Sequence, residues 1–350
     1  MYAKVLLTGR GSEVTAQESI RVYATGDARA LADAWTQAAP HDGMTYSRFV
    51  EQVLLDRNFD RQGLRVAVQD GHIVGAAYAV RRRIAAYGAD LEPESGWIPF
   101  FFVTPAARGA GLGTALVQEA LTWLESEGVS TTYFSSYTPN YFLPGLDAER
   151  YPEAAGLLGK LGFTTQYQAV AMERSLADYT IPSHIRDRMA DLRSEGYYLG
   201  EAQTDDLVDL IELAVDSFNP DWGRAIREAY LGGLSPERIL MARDPDGTAL
   251  GWAMHGTYDN LVDRFGPFGV LPTRRGTGLG EILLHLTLER MRAVGAHSAW
   301  FLWADVGEPA HRLYLKTGFS PSRTFTILHR HSKSAQSGTR RKEHSEADAA

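Results

Sequence analysis

The chain has 350 residues, 44% hydrophobic and 22% charged, and its 43 acidic against 35 basic side chains give a formal net charge of −8. That balance argues against a general nucleic-acid binder, because phosphate contacts need a basic field, and no run approaches the roughly 18 apolar residues of a membrane-spanning helix. The absence of cysteine excludes disulfides, thiolate metal sites and cysteine nucleophiles, and the length suits two ordinary domains.

The opening segment MYAKVLLTGRGSEV has an apolar stretch broken at Thr8, Gly9 and Arg10 and no small-residue cleavage site, so a cytoplasmic protein without a secretory leader is expected. A helical pattern follows from Asp27 to Ala38. Next comes LRVAVQDGHIVGAAYAVRRR, whose alternation around Asp70-Gly71 predicts a β-hairpin. The apolar run ending at Val103 leads through Pro105 into Arg108-Gly109-Ala110-Gly111-Leu112-Gly113, and a 3.6-residue apolar period continues from there. EAAGLLGKLGF then reads as a helix stopped at Gly162.

The same order recurs downstream. A helical stretch runs from Asp205 to Phe218, a hairpin turns at Asp246-Gly247, and an apolar run ends at Val270. Pro272 and Arg275-Gly276-Thr277-Gly278-Leu279-Gly280 follow, then a helix and AHRLYLKTGF with its stop at Gly318. Such self-similarity marks a duplicated domain. The expected layout is a first domain over 18–175, a polar and partly helical connector over 176–197, a second domain over 198–331, and a disordered tail over 332–350 rich in Ser, Lys, Glu and Ala. The middle section of the first copy is longer, by an insertion that includes TPNYFLPGLDAERYPE.

Glycine lets backbone N–H groups approach an anion without an intervening side chain, and a helix starting directly after the loop adds its positive end. The spacing fits neither a Walker loop, which ends in Gly-Lys-Ser/Thr, nor the Gly-x-Gly-x-x-Gly dinucleotide fingerprint. A ligand-free glycine turn is the plain alternative for one copy, but it does not explain the repeated setting.

Arg108, Gly111 and Gly113, and again Arg275, Gly278 and Gly280, resemble the Arg/Gln-x-x-Gly-x-Gly/Ala signature of the GNAT superfamily of acyl-CoA N-acyltransferases. The Leu-Gly-Phe and Thr-Gly-Phe helix ends are similar to its second signature. The tandem arrangement is similar to that of mycothiol synthase and some antibiotic-pathway acetyltransferases. The resemblance implies an α/β (α+β) fold of two tandem GNAT-type domains. Each would be a mixed, mostly antiparallel sheet flanked by helices, with the fourth and fifth strands splayed to admit acetyl-CoA or another acyl-CoA. It places the co-substrate on Val103, Arg108, Gly109, Gly111, Leu112 and Gly113, and on Val270, Arg275, Gly276, Gly278, Leu279 and Gly280. The implied activity is direct transfer of an acyl group, in a ternary complex, to the primary amine of a small molecule.

That chemistry needs a base for the amine and a proton donor for the departing thiolate. The resemblance assigns the donor to a tyrosine in the fourth helix, which is Tyr314 in the second copy. The first copy has Leu158 there, with Tyr137 and Tyr141 as possible substitutes. Asp263 is the candidate base, Asp259 the next, and Glu92 and Glu94 stand at the same place in the first copy. Imidazole is a common acid–base group in catalysis, which makes His255 and His311 candidates, but a lone histidine is more often a packing residue, and no histidine pair has metal-binding spacing. Tyr141 with Asn140 and Asp147, and Trp303 with Asp305 and Glu308, combine rings and carboxylates suited to a cationic amine. The competing readings are an acyl-CoA sensor or scaffold with one or both copies inactive, and a protein lysine acetyltransferase. A monomer and a homodimer both remain open.

Overall fold

The computed structural model describes residues 19–332 apart from Ala86, Tyr87, Ala89, Asp90 and Pro139. The N-terminal segment and all of the expected tail except Ser332 lie outside the described residues. The described residues fall into two compact units, the first drawn from the segments 1–85, 91–168 and 325–350 and the second from 86–90 and 169–324.

Unit 1 begins with β1 (Ser19–Val22), α1 (Ala28–Ala38) and the short α2 (Tyr46–Phe49), which runs on into a π-turn at Val50–Leu54. Helix α1 buries one stripe, including Leu31, Ala32, Trp35 and Ala38, at the i, i+3, i+4, i+7 spacing that turns a helix toward a sheet. The hairpin β2 (Leu64–Gln69) and β3 (His72–Val80) pairs Gln69 with His72. Both turn residues have positive φ, Asp70 at 51° and Gly71 at 78°, as a two-residue turn of this hand requires. Next come β4 (Ser95–Val103), α3 (Leu112–Ser126), β5 (Thr131–Phe134) and α4 (Pro152–Lys160). The strands are antiparallel neighbours in the order β1, β2, β3, β4, except that β5 joins β4 in parallel. A parallel neighbour requires a crossover, which α3 supplies.

Unit 2 takes residues 169–175 of β6 (Thr164–Ser175), then α5 (Ser183–Ser194), β7 (Tyr198–Glu201), α6 (Leu207–Ser217), α7 (Pro220–Leu231), β8 (Ile239–Arg243) and β9 (Ala249–His255). After these follow β10 (Phe265–Val270), α8 (Leu279–Ala293), β11 (Ser298–Asp305) and α9 (Pro309–Lys316). Strands β7 to β10 form an antiparallel meander, and β11 pairs antiparallel with β6 from Ala169 to Ser175.

The compact units do not follow the expected 18–175 and 198–331 boundaries strand for strand. The outer neighbour of β5 in unit 1 is the C-terminal part of β12 (Ser320–His331), with Leu328 opposite Phe134 and His331 opposite Thr131. The outer neighbour of β11 in unit 2 is β6. The stretch 176–197, read as a polar connector, instead buries Leu176, Tyr179, Ile181, Ile185, Met189 and Leu192 in the core of unit 2. Helix α5 carries many charges, yet its three buried side chains sit at i, i+4 and i+7, enough for one narrow packed stripe.

Candidate active site

In each unit the fifth-strand position pairs with its neighbour only at the start. Strands β4 and β5 run together from Ser95–Thr131 to Ile98–Phe134, and β5 then ends while β4 continues to Val103. In unit 2 the contact is a parallel bridge between Arg264 and Trp300, where the Trp300 amide donates to the Asp263 carbonyl at 3.0 Å. Beyond these points the facing strand edges are left for a ligand that can pair with main chain.

The glycine loops stand at the open end of each fork. Gly111 (φ 85°) and Gly278 (φ 87°) are the left-handed N-caps of α3 and α8. A Cβ placed on Gly109, Gly111, Gly276 or Gly278 would meet nothing within 4 Å, so these main chains face open space. The first amides bonded to the cap carbonyls are Ala115 to Gly111 and Ile282 to Gly278, both at 3.1 Å. The amides just before them lack intrahelical acceptors, as at any helix start. This donor set fits the pyrophosphate of a CoA molecule.

Gly113 and Gly280 serve packing instead. A Cβ on Gly113 would lie 3.1 Å from Leu157, and one on Gly280 3.4 Å from Phe268. Leu112 and Leu279 are buried beneath the helix starts, and Val103 and Val270 end their strands. Arg108 donates from Nη2 to the Ala38 carbonyl at 2.8 Å and from Nε to the Val103 carbonyl at 3.1 Å, tying the loop to the end of α1. Arg275 is exposed on the corresponding loop.

Tyr314, on α9, is buried in the fork of unit 2. Its ring lies 6.0 Å from Phe265 and 6.2 Å from Phe268 of β10, and 4.5 Å from Phe301 of β11. Phe319 closes the cluster at 5.6 Å. Burial pushes the phenol well above its ordinary pKa, so it keeps its proton at neutral pH. Leu158, at the matching place in α4, is fully buried and has no proton to give. Asp263 is half-buried at the closed end of the fork, and Asp259 is ion-paired with Arg264 at 3.3 Å. In unit 1 Glu92 is paired with Arg82, and the Glu94 carbonyl accepts from Ser130 and Thr131.

Unit 1 contains a cavity of about 1010 Å³ that reaches from the glycine loop, through Gly109 to Thr114, to Trp35, Met44, Phe100 and Phe142. Asp147 lines it and is buried, accepting from the Arg150 amide at 3.0 Å. Tyr141 is half-buried in the neighbouring loop, where it is Phe142 that lines the cavity. Tyr137 is committed elsewhere, its hydroxyl donating to Asp56 at 3.1 Å and accepting from Asn58 at 2.9 Å, while Asn140 also bonds Asp56. One pair had no sequence signal at all. Tyr151 donates to Asp42 Oδ2 at 2.5 Å, and both residues line the cavity, although 109 positions separate them.

At the end of β11, Trp303 Nε1 donates to Asp305 Oδ1 at 3.0 Å, and partial desolvation raises the Asp305 carboxyl. Glu308 is exposed at the N-cap of α9. His255 is fully buried on β9 with Nδ1 2.8 Å from the Val262 carbonyl, and burial lowers its pKa to about 4. His311 is half-buried, with Nδ1 3.3 Å from the Gly307 amide. Among the described residues no three histidines or carboxylates are placed to hold a metal ion, and no helix is long and apolar enough to cross a membrane.

Forked sheet and glycine-capped helix, present twice, are the frame of an acyl-CoA-dependent acetyltransferase. The chain belongs to the acetyltransferase (GNAT) family, whose profile matches residues 28–141 and 207–319, and members of this family use acetyl-CoA. Mycothiol acetyltransferase of Nocardia farcinica is 29% identical over 259 residues, 68% of this chain and 77% of that protein. The fold is shared with a GCN5-related glucosamine N-acetyltransferase region of a fungal multi-domain GH3 β-N-acetylglucosaminidase. There the TM-score is 0.73 at 19% identity over 90% of this chain and 38% of that one. It is shared too with a tandem GNAT protein from the clavulanic acid biosynthesis pathway, at a TM-score of 0.61 and 14% identity over 90% and 98% of the two chains.

Proposed function

We propose that the protein transfers an acetyl or similar short acyl group from acyl-CoA to the primary amine of a small molecule, that both units bind CoA, and that unit 2 performs the transfer. The observation carrying this reading is Tyr314, a protonated phenol held among rings of both β10 and β11 where the strands part. Bound acyl-CoA supplies an activated thioester. The amine nitrogen forms the new C–N bond as the C–S bond breaks, Tyr314 delivers its proton to the departing sulfur, and Asp263 takes the proton lost by the amine, directly or through water. Removing that donor lowers the rate by about 10²-fold or more if general acid catalysis operates.

The amides of Gly276 to Gly280 and the start of α8 hold the pyrophosphate in this reading, and Trp303 with Asp305 faces the cationic acceptor. In unit 1 the cradle at Arg108 to Gly113 binds CoA, and Asp147 lines its acceptor side, with Tyr141 in the loop next to the cavity. Leu158 favours binding without turnover there. The name of the relatives makes an acceptor related to mycothiol the first amine to assay. Thiol release from acetyl-CoA over a panel of small amines tests the reading. Amine-dependent release that Tyr314→Phe abolishes supports it, and full release by that variant removes unit 2 from the chemistry.

A further inference from the structure

The cavity of unit 1 is floored by rings rather than by polar groups. Trp35 and Phe100 stand 4.4 Å apart, Trp35 and Phe142 5.0 Å, and Phe100 and Phe142 5.8 Å. All three are at least nine-tenths buried, as is Met44 beside them. The one polar atom of this floor, Trp35 Nε1, is spent on the Asp42 carbonyl at 2.8 Å. What the rings present to the cavity is carbon. Among the charged members of the lining, Asp42 is engaged with Tyr151, Arg48 with Gln52 and the Phe142 ring, and Arg150 with Asp147, while Glu149, Glu153 and Lys160 are exposed.

The cavity of about 1010 Å³ runs from the glycine loop to this aromatic floor, and because protein interiors fill space at close to crystal density, its aromatic end is room for apolar atoms beyond the CoA arm. In the fork of unit 2 the rings of Phe265, Phe268, Phe301, Tyr314 and Phe319 pack against one another instead of flooring a cavity of this kind.

We propose that unit 1 is a site for acyl-CoA whose acyl group is apolar and longer than acetyl, the chain lying on Trp35, Phe100 and Phe142 while the glycine loop holds the pyrophosphate. This rests on the reading that the cradle of unit 1 binds CoA, and it adds the class of acyl group. With Leu158 in place of a phenol, such a thioester is held and not turned over.

The test is calorimetry on the full chain carrying Gly278→Glu, which blocks the cradle of unit 2, titrated with CoA, acetyl-CoA, butanoyl-CoA and hexanoyl-CoA. A buried methylene contributes about 0.8 kcal/mol, or roughly fourfold in affinity. Hexanoyl-CoA is therefore expected to bind on the order of 100-fold tighter than acetyl-CoA, with Phe142→Ala reducing that ratio and Gly111→Glu removing binding altogether. Should the Phe142 variant not fold, the ester series on the Gly278→Glu chain decides alone. Equal affinity for CoA, acetyl-CoA and hexanoyl-CoA overturns the acyl-class assignment while leaving CoA binding intact. No binding of any of the four overturns CoA binding by unit 1 as well.

Discussion

The ring of Tyr314 lies 4.5 Å from that of Phe301, centroid to centroid, so a helix that follows β11 places its phenol against the strand it has just left. With Phe265 and Phe268 on the other side, the hydroxyl is carried on a ring whose position is fixed by packing. Aromatic pairs of this kind contribute about 0.5–1.5 kcal/mol each beyond their buried area. Tyr314→Phe keeps those rings and removes only the hydroxyl. Turnover is expected to fall by about 10²-fold or more, with the KM for acetyl-CoA changed less than about threefold and the thermal unfolding midpoint unmoved. An unchanged kcat contradicts the donor role.

The two cradles should respond separately. Gly278 and Gly111 hold left-handed conformations that cost a side-chain-bearing residue about 1–2 kcal/mol, and a glutamate there also sets a negative charge where a pyrophosphate belongs. Gly278→Glu is expected to raise the KM for acetyl-CoA at least tenfold, while Gly111→Glu leaves turnover within about twofold. Steady-state thiol release distinguishes them, and the opposite pattern assigns the chemistry to unit 1.

Much of this was legible in the sequence, and the limits were physical. The loops, hairpins and helix stops declare themselves through glycine geometry: Gly111, Gly278, Gly71 and Gly318 all have positive φ. The strand partners of β5 and β11 were not legible. Residues 169–172 of β6 are buried in an unbroken run, and a strand without alternation carries no local mark of which sheet receives it. The floor of the unit 1 cavity escaped for a related reason. Trp35 satisfies the amphipathic pattern of α1 whether it meets a core or a cavity, and the Asp42–Tyr151 contact joins segments with no shared motif. Tyr137, a possible donor from sequence, proves to be bound up with Asp56 and Asn58.

That network gives a stability prediction. Tyr137→Phe strands Asn58 and Asp56 partners in a buried setting, which costs about 1–3 kcal/mol. A shift of the urea midpoint with unchanged turnover is expected, whereas a loss of turnover at full stability contradicts a structural role.

Two buried histidines set a pH dependence. Burial lowers His255 and His285 to about 4, below the ordinary value near 6.5, so the unfolded chain binds more protons than the folded one between these limits. Stability is therefore full above about pH 6.5 and is lost as the pH falls toward 4. His285 Nδ1 also lies 2.6 Å from the Tyr179 hydroxyl. Urea unfolding at pH 7.5 and 4.5 should show a lower midpoint in acid, and His285→Gln should flatten that difference. Equal midpoints at both pH values contradict the assignment.

The most direct measurement of the central claim is acetyl-CoA turnover, by thiol release with an accepted amine, in Leu158→Ala and Tyr314→Phe chains side by side. Transfer in unit 2 predicts that the Leu158 variant retains activity and the Tyr314 variant loses it by about 10²-fold or more. Retention of full activity by Tyr314→Phe, in a chain that still binds acetyl-CoA, contradicts it.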